Sequence, residues 1–173
     1  TRLDAAIKNL KTIKNKIGVC RESILKEAFT TGFSTKVTFR NLHLDDLKGE
    51  GKHAIKRGPF GSAIKKSFFV PKGYKVYEQK NAIYNDFRLG GYYISESKFK
   101  ELEAFEVKPG DLIISCSGTI GKIAAAPDSI EKGIINQALL KITLDSKIIL
   151  TRYFIYLFQS RYLQHEVNKK TRG

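Results

Sequence analysis

The chain has 173 residues, 42% of them hydrophobic, which suits one domain with a real core plus an appendage and excludes a disordered polymer. Its 31 Lys and Arg residues against 17 Asp and Glu leave a formal charge of +14, a balance that favours a polyanionic partner. The longest apolar run, near Ile148 to Phe158, is interrupted by Thr151 and Arg152 and falls short of the roughly 18 to 20 residues of a membrane span.

In chain order, the first pattern is a heptad. Leu3, Leu10, Ile17 and Ile24 recur every seventh residue, with Ala6, Ile13 and Cys20 between them, an a/d seam that predicts a coiled-coil strand. Helix-favouring residues continue to about Phe29, and Gly32 is the expected stop. Such a seam needs a partner, because each exposed Leu or Ile forgoes about 1.5 to 3 kcal/mol of burial. Heptads at the start stand where a secretory signal would carry a short apolar core, so the expected location is the cytoplasm.

Beyond Gly32 the segments shorten and are broken by Gly, Pro and Asn. Strands are expected at Tyr74–Glu78, Asp111–Ser115, Lys122–Ala126 and Asn136–Thr143. A short helix capped by Ser95 or Ser97 should cover Lys98 to Leu102. A longer helix, from about Ile149 to Val167, places Tyr153, Phe154, Leu157, Phe158 and Tyr162 at helical spacing, where a core role is expected. The fold class is therefore α+β: a spacer helix over 1–31, a compact mixed α/β domain over 32–168 with a small, strongly curved sheet, and a basic tail over 169–173. Cys20 and Cys116 lack metal-ligand spacing and read as small buried hydrophobes.

Charge is concentrated along the chain. Nine basic residues between Lys48 and Lys80 face only Glu50 and Glu78, and a second excess lies at Lys147, Arg152, Arg161, Lys169, Lys170 and Arg172. Within the first cluster, Arg57-Gly58-Pro59-Phe60-Gly61-Ser62 precedes Lys65 and Lys66. Glycines let main-chain N–H groups approach a bulky anion and lysines add attraction; an ordinary turn is the other reading. Ser115 to Lys122 joins two strand-like runs through hydroxyls and glycines, either as a ligand loop or as a plain hairpin. It lacks the flanking helices of an RNA-clamping KH loop and the Gly-Lys-Ser/Thr of a P-loop. Asn136 and Gln137 are open to two roles, pairing with adenine or satisfying backbone groups. Gln79, Asn81 and Asn85 are alternative base readers, and Tyr74, Tyr77, Tyr84, Tyr92 and Tyr93 are expected mostly to pack.

No catalytic constellation is visible. Asn81-Ala82-Ile83-Tyr84 lacks the prolines of the NPPY motif of amino-methyltransferases. Pro127-Asp128 with Glu131-Lys132 has its carboxylates too close together for a PD-(D/E)xK nuclease, and His43, His53 and His165 are isolated in sequence. Neither metal nor cofactor is expected.

Three blocks stand out: GPFGSAIKKSFFVPKGY from Gly58, VKPGDLIISCSGTIG from Val107 and GIINQALLKI from Gly133. With RESILKEAF at Arg21 to Phe29, which resembles the end of a spacer helix, they resemble the target recognition domain of a type I restriction-modification specificity subunit. In that family an intact subunit carries two recognition domains separated by two antiparallel helices, and each domain reads part of a split DNA target. The resemblance implies a non-catalytic protein, one helix followed by one recognition domain. It implies phosphate contacts from Arg57, Lys65, Lys66, Lys72 and Lys122, and base or groove contacts from Ser62, Gln79, Asn81, Ser117 and Thr119. The helix interface would be Leu3, Leu10, Ile13, Ile17 and Ile24. Implied partners are double-stranded DNA, methyltransferase subunits and, through them, the restriction and translocase subunit, with a second spacer helix or second recognition half, a homodimer being one form. The specificity portion of a fused type II endonuclease-methyltransferase has similar domains. A small basic nuclease and an RNA-binding or scaffold protein are the readings from other classes.

Overall fold

The structure is a computed structural model, and it describes residues 1–30 and 40–171. The chain divides into two compact units, Leu42–Ile155 and the pair of segments Thr1–Asn41 and Tyr156–Gly173. Residues 156–173 group with the N-terminal segment in this division.

The heptad segment is the helix α1, Arg2–Thr30, about 44 Å long at 1.5 Å per residue. Residues 1–21 are all exposed, including the seam positions Leu3, Leu10, Ile13 and Ile17, and Ile24 is exposed as well. Cys20 is exposed instead of buried as expected, since its side chain falls on an exposed face of α1. Gly32, the expected stop, lies outside the described residues.

The unit Leu42–Ile155 is α+β. In chain order it contains β1 Ile55–Arg57, β2 Phe69–Val70, β3 Tyr74–Tyr77, α2 Gln79–Tyr84, β4 Tyr93–Ile94, α3 Glu96–Glu101, β5 Glu106–Val107, β6 Leu112–Ser115, β7 Ile123–Ala125, β8 Gly133–Ile135 and β9 Leu139–Ile142. All four expected strands are present within a residue or a few of their bounds. The expected helix near Lys98 is α3, and Ser95 caps it by accepting from the Lys98 backbone N–H at 3.3 Å.

The expected single, strongly curved sheet is not what forms. Two sheets form, neither strongly curved: a four-stranded one ordered β1-β9-β6-β7 and a five-stranded one ordered β2-β4-β3-β8-β5. The chain changes sheet at Asn136-Gln137-Ala138, between β8, which runs parallel to β3, and β9, which is antiparallel to β1 and β6. Pairing partners change across that turn, so closure into one sheet is lost.

Side-chain alternation explains the layers. In β3 and β8, Tyr77 and Ile135 join a core with Ala82, Phe87, Ile113, Ala124 and Leu139, which draws on both sheets and α2. Their neighbours Val76 and Ile134 point the other way, into a second core with Ile64, Ile94, Phe99 and Leu102. The central parallel pair is thus buried on both faces, as such pairs usually are. Two lysines lie within these layers and are paired: Lys75 reaches Glu131 at 2.6 Å and the Arg88 carbonyl at 3.2 Å, and Lys141 lies 3.6 Å from Asp111. Tyr74 stacks on Phe99 and Tyr92 on Phe69, so most of the tyrosines have packing contacts, although Tyr84 and Tyr92 are exposed.

At the C-terminal end the long helix expected over 149–167 is two helices, α4 Thr151–Gln159 and α5 Arg161–Thr171. Ser160 causes the break, since its hydroxyl accepts from the Leu163 N–H at 3.4 Å and caps α5. Phe154 and Phe158 are buried as expected. Tyr153 and Tyr162 are exposed, because a helix buries one stripe and these two fall off it. Residues 169–171, expected as a linker, continue α5. Within the helical unit α1 and α5 are in contact, and Arg21 donates to the Gln159 side chain at 2.5 Å.

Candidate nucleic-acid interface

Strand direction brings the distant motifs to one place. The C-terminal ends of β1, β3, β6 and β8 and the N-terminal ends of β7 and β9 all open towards the Asn136–Ala138 turn. Backbone hydrogen bonds tie them there: Gly58 N–H donates to the Leu139 carbonyl at 2.9 Å, Cys116 N–H to Ala138 at 2.8 Å and Asn136 N–H to Tyr77 at 2.9 Å. The Arg57 side chain crosses from β1 and donates to the Gln137 carbonyl at 3.1 Å.

Gly58 is required at this crossing. A Cβ there would stand 1.8 Å from the Asn136 carbonyl oxygen, far inside any contact distance. Beyond it, Pro59 is buried and Phe60 is exposed. Gly61 then takes a left-handed φ of 62°, a conformation that L side chains rarely adopt. Ser62, Lys65 and Lys66 follow on the same loop, all exposed, while the buried Ile64 between them and the β2 strand after them tie the loop to the second core.

The Ser115–Lys122 segment is a hairpin loop between β6 and β7. Ser115 is buried and holds the loop together, donating to the Thr119 carbonyl at 2.6 Å and accepting from the Lys122 N–H at 2.9 Å. This leaves Ser117, Gly118, Thr119 and Lys122 exposed. Cys116 is half-buried, and burial pushes its thiol pKa up although the Arg57 guanidinium beside it acts in the opposite direction. Gln79, at the start of α2, lies against this loop: a side chain on Gly118 would come within 3.8 Å of its amide nitrogen. The Gln79 side-chain oxygen is buried without a hydrogen-bond partner among the described residues.

The expected site residues therefore separate. Arg57, Ser62, Gln79, Ser117, Thr119 and Lys122 belong to loops that meet at the turn between the sheets. Asn81 does not belong with them: it is wholly buried, its oxygen accepts from the Glu78 N–H at 2.8 Å, and its nitrogen donates to the carbonyls of Asp86 at 2.9 Å and Leu89 at 2.8 Å. An amide with every position used by the backbone has nothing left for a base. Lys72 is exposed but precedes β3, so it stands at the opposite end of that strand from Gln79. Asn136 takes the backbone role, accepting from the Ala138 N–H at 3.0 Å.

The cations also separate by commitment. Lys75, Lys80, Lys98 and Lys141 are ion-paired, and Lys56 and Lys132 lie over aromatic rings. No ion pair, side-chain hydrogen bond or ring contact engages Lys65, Lys66, Lys72 or Lys122 among the described residues, and all four are exposed. These four are among the ammonium groups available to a polyanion. Phe60, part of a turn by sequence, is the most exposed large apolar side chain on the loop cluster among the described residues; an aromatic between two glycines in a basic stretch was the available signal. Glu131, half of the apparent nuclease pattern, is used by Lys75. Among the described residues there is no group of three or more His, Cys, Asp or Glu that could hold a metal ion, and no helix is long and apolar enough to cross a membrane.

No protein-family model matches the sequence, and comparison with curated proteins gives no match. Solved structures share the fold. The crystal structure of the HsdS subunit from Thermoanaerobacter tengcongensis matches with a TM-score of 0.61 at 16% identity, over 95% of this chain and 38% of that one. A chain from a structure of the type I R-M system, described for its complex assembly and conformational transition, matches with a TM-score of 0.59 at 16% identity, over 98% of this chain and 40% of that one. At this identity the likeness is one of fold, and the chain spans about two fifths of the length of the solved chains it matches.

Proposed function

We propose that this chain is one recognition half of a type I restriction-modification specificity subunit, which binds duplex DNA and carries out no chemistry of its own. Partner subunits would methylate adenine, and a restriction subunit would cleave unmethylated sites. The observation that carries this reading is the meeting of Arg57, the uncommitted Lys122, exposed hydroxyls and one amide at the junction of two sheets, in a fold shared with an HsdS subunit. Ammonium groups on the loops supply sequence-independent attraction to phosphate. Ser62, Gln79, Ser117 and Thr119 can then donate to or accept from base edges. The exposed seam of α1 would hold a second spacer helix or a second recognition half, and dock the modification subunits.

The test is direct. Fluorescence anisotropy of a labelled 30-base-pair duplex titrated with the chain should show binding that weakens steeply with salt. No binding at 50 mM salt would contradict the reading. Nicking of a plasmid in magnesium, abolished by a carboxylate substitution in the chain, would contradict the non-enzymatic part of it.

A further inference from the structure

We infer that Phe60 is a stacking wedge that enters duplex DNA at a base step and is held for that purpose by Arg57 and the rigid backbone beneath it. The inference rests on the DNA-binding reading above and adds a residue and a mode of contact to it. Phe60 is 67% exposed, yet its exposure does not come from a loose loop. Gly58 is pinned by its hydrogen bond to Leu139 and by the Asn136 backbone, Pro59 is buried with a fixed φ, and Gly61 is set in the left-handed region. Ala63 and Ile64 return to the second core. A chain this constrained on both sides of one residue presents that side chain in a defined direction.

The surroundings suit a base. The Arg57 guanidinium stands 5.8 Å from the centre of the Phe60 ring while its Nε–H is held by the Gln137 carbonyl, so the cation steadies the ring from one side. The loops that meet there carry the unpaired Lys122 and the exposed Ser117 and Thr119, groups that suit phosphates and base edges flanking an opened step. A bare apolar ring in a cationic and hydroxyl-rich setting fits poorly as a contact for another apolar protein surface. It matches the arrangement in which an apolar wedge separates bases while cations hold the backbone. Pyrimidine–purine steps, which unstack most readily, are the expected point of entry.

The chain contains no tryptophan, so Phe60→Trp places a single indole at the proposed contact. The full chain carrying Phe60→Trp is titrated with a 30-base-pair duplex containing several TA steps, following indole emission and, in parallel, anisotropy of a dye on the DNA. Phe60→Ala and Phe60→Leu are titrated by anisotropy alone. Stacking on a base predicts that Phe60→Trp binds within about threefold of the unaltered chain and loses half or more of its emission at saturation. Phe60→Ala should bind about tenfold more weakly, with the slope of log affinity against log salt unchanged, and Phe60→Leu should fall between. Emission that does not change on saturation while anisotropy reports normal binding would overturn the inference and leave the DNA-binding reading standing; that is also the result if Phe60 serves a protein contact. Failure of the unaltered chain to bind DNA would overturn both.

Discussion

Asn81 and Gln79 are two residues apart and of similar chemistry, yet their surroundings assign them opposite roles. Asn81 satisfies three backbone groups in the interior, so Asn81→Ala strands two carbonyls and one N–H and should cost about 3 kcal/mol, read from urea unfolding, without changing DNA preference. Gln79→Ala should do the reverse: little loss of stability and a shift in preference among duplexes, read by competition binding. Sequence spacing could nominate both amides but could not separate them, because nothing local says which of the two turns inward when a six-residue helix caps itself. A further expectation concerns Asp86, whose carboxyl is held down to about 2 by the hydrogen-bonded Arg88 guanidinium. A depressed folded pKa contributes stability above the unfolded value and loses it as pH falls. Asp86→Asn should therefore lower the Tm at neutral pH, with the gap to the unaltered chain closing between about pH 3.8 and about pH 2.

The elements that rest on local pattern were legible in the sequence. Heptads gave α1, the serine cap gave α3, and apolar runs gave β3, β6, β7 and β9. What depends on distant pairing was not: two sheets form where one was expected, because the parallel pairing of β8 with β3 across more than fifty residues leaves no periodic trace. Ser160 carried a legible signal, since serine favours N-cap positions, but a continuous aromatic periodicity across it hid the break. The element that joins the two sheets is also the one whose alteration should be most general in effect. Gly58→Ala forces a methyl group into the Asn136 carbonyl and should weaken DNA binding together with thermal stability, measured by anisotropy and calorimetry. Replacing Lys65 and Lys66 with alanine acts on the loop surface alone. It should leave the Tm within experimental error and reduce the magnitude of the salt slope by about 1.8; an unchanged slope would remove that loop from the phosphate contacts.

On the scale of the whole molecule, the chain divides into one helical and one α+β unit. Leu3, Leu10, Ile13, Ile17 and Ile24 are exposed along α1, and burial of each against a partner would contribute about 1.5 to 3 kcal/mol. Leu10→Asn with Ile17→Asn should abolish association with the modification subunits or with a second half, seen by sedimentation, while the unfolding of the α+β unit is unaffected. The heptads made this surface readable from sequence; the occupant of the seam was not, because an apolar seam specifies burial more strongly than it specifies a partner. The central claim, that the loops at the junction of the two sheets select the DNA address, is tested most directly by methylation mapping. The chain is grafted as the recognition half of a working type I system, and methylated adenines are mapped across the genome, with and without alanine at Gln79, Ser117 and Thr119. The account predicts that the graft moves methylation to a new motif and that the triple substitution changes or relaxes that motif. An identical motif from both grafts would contradict it.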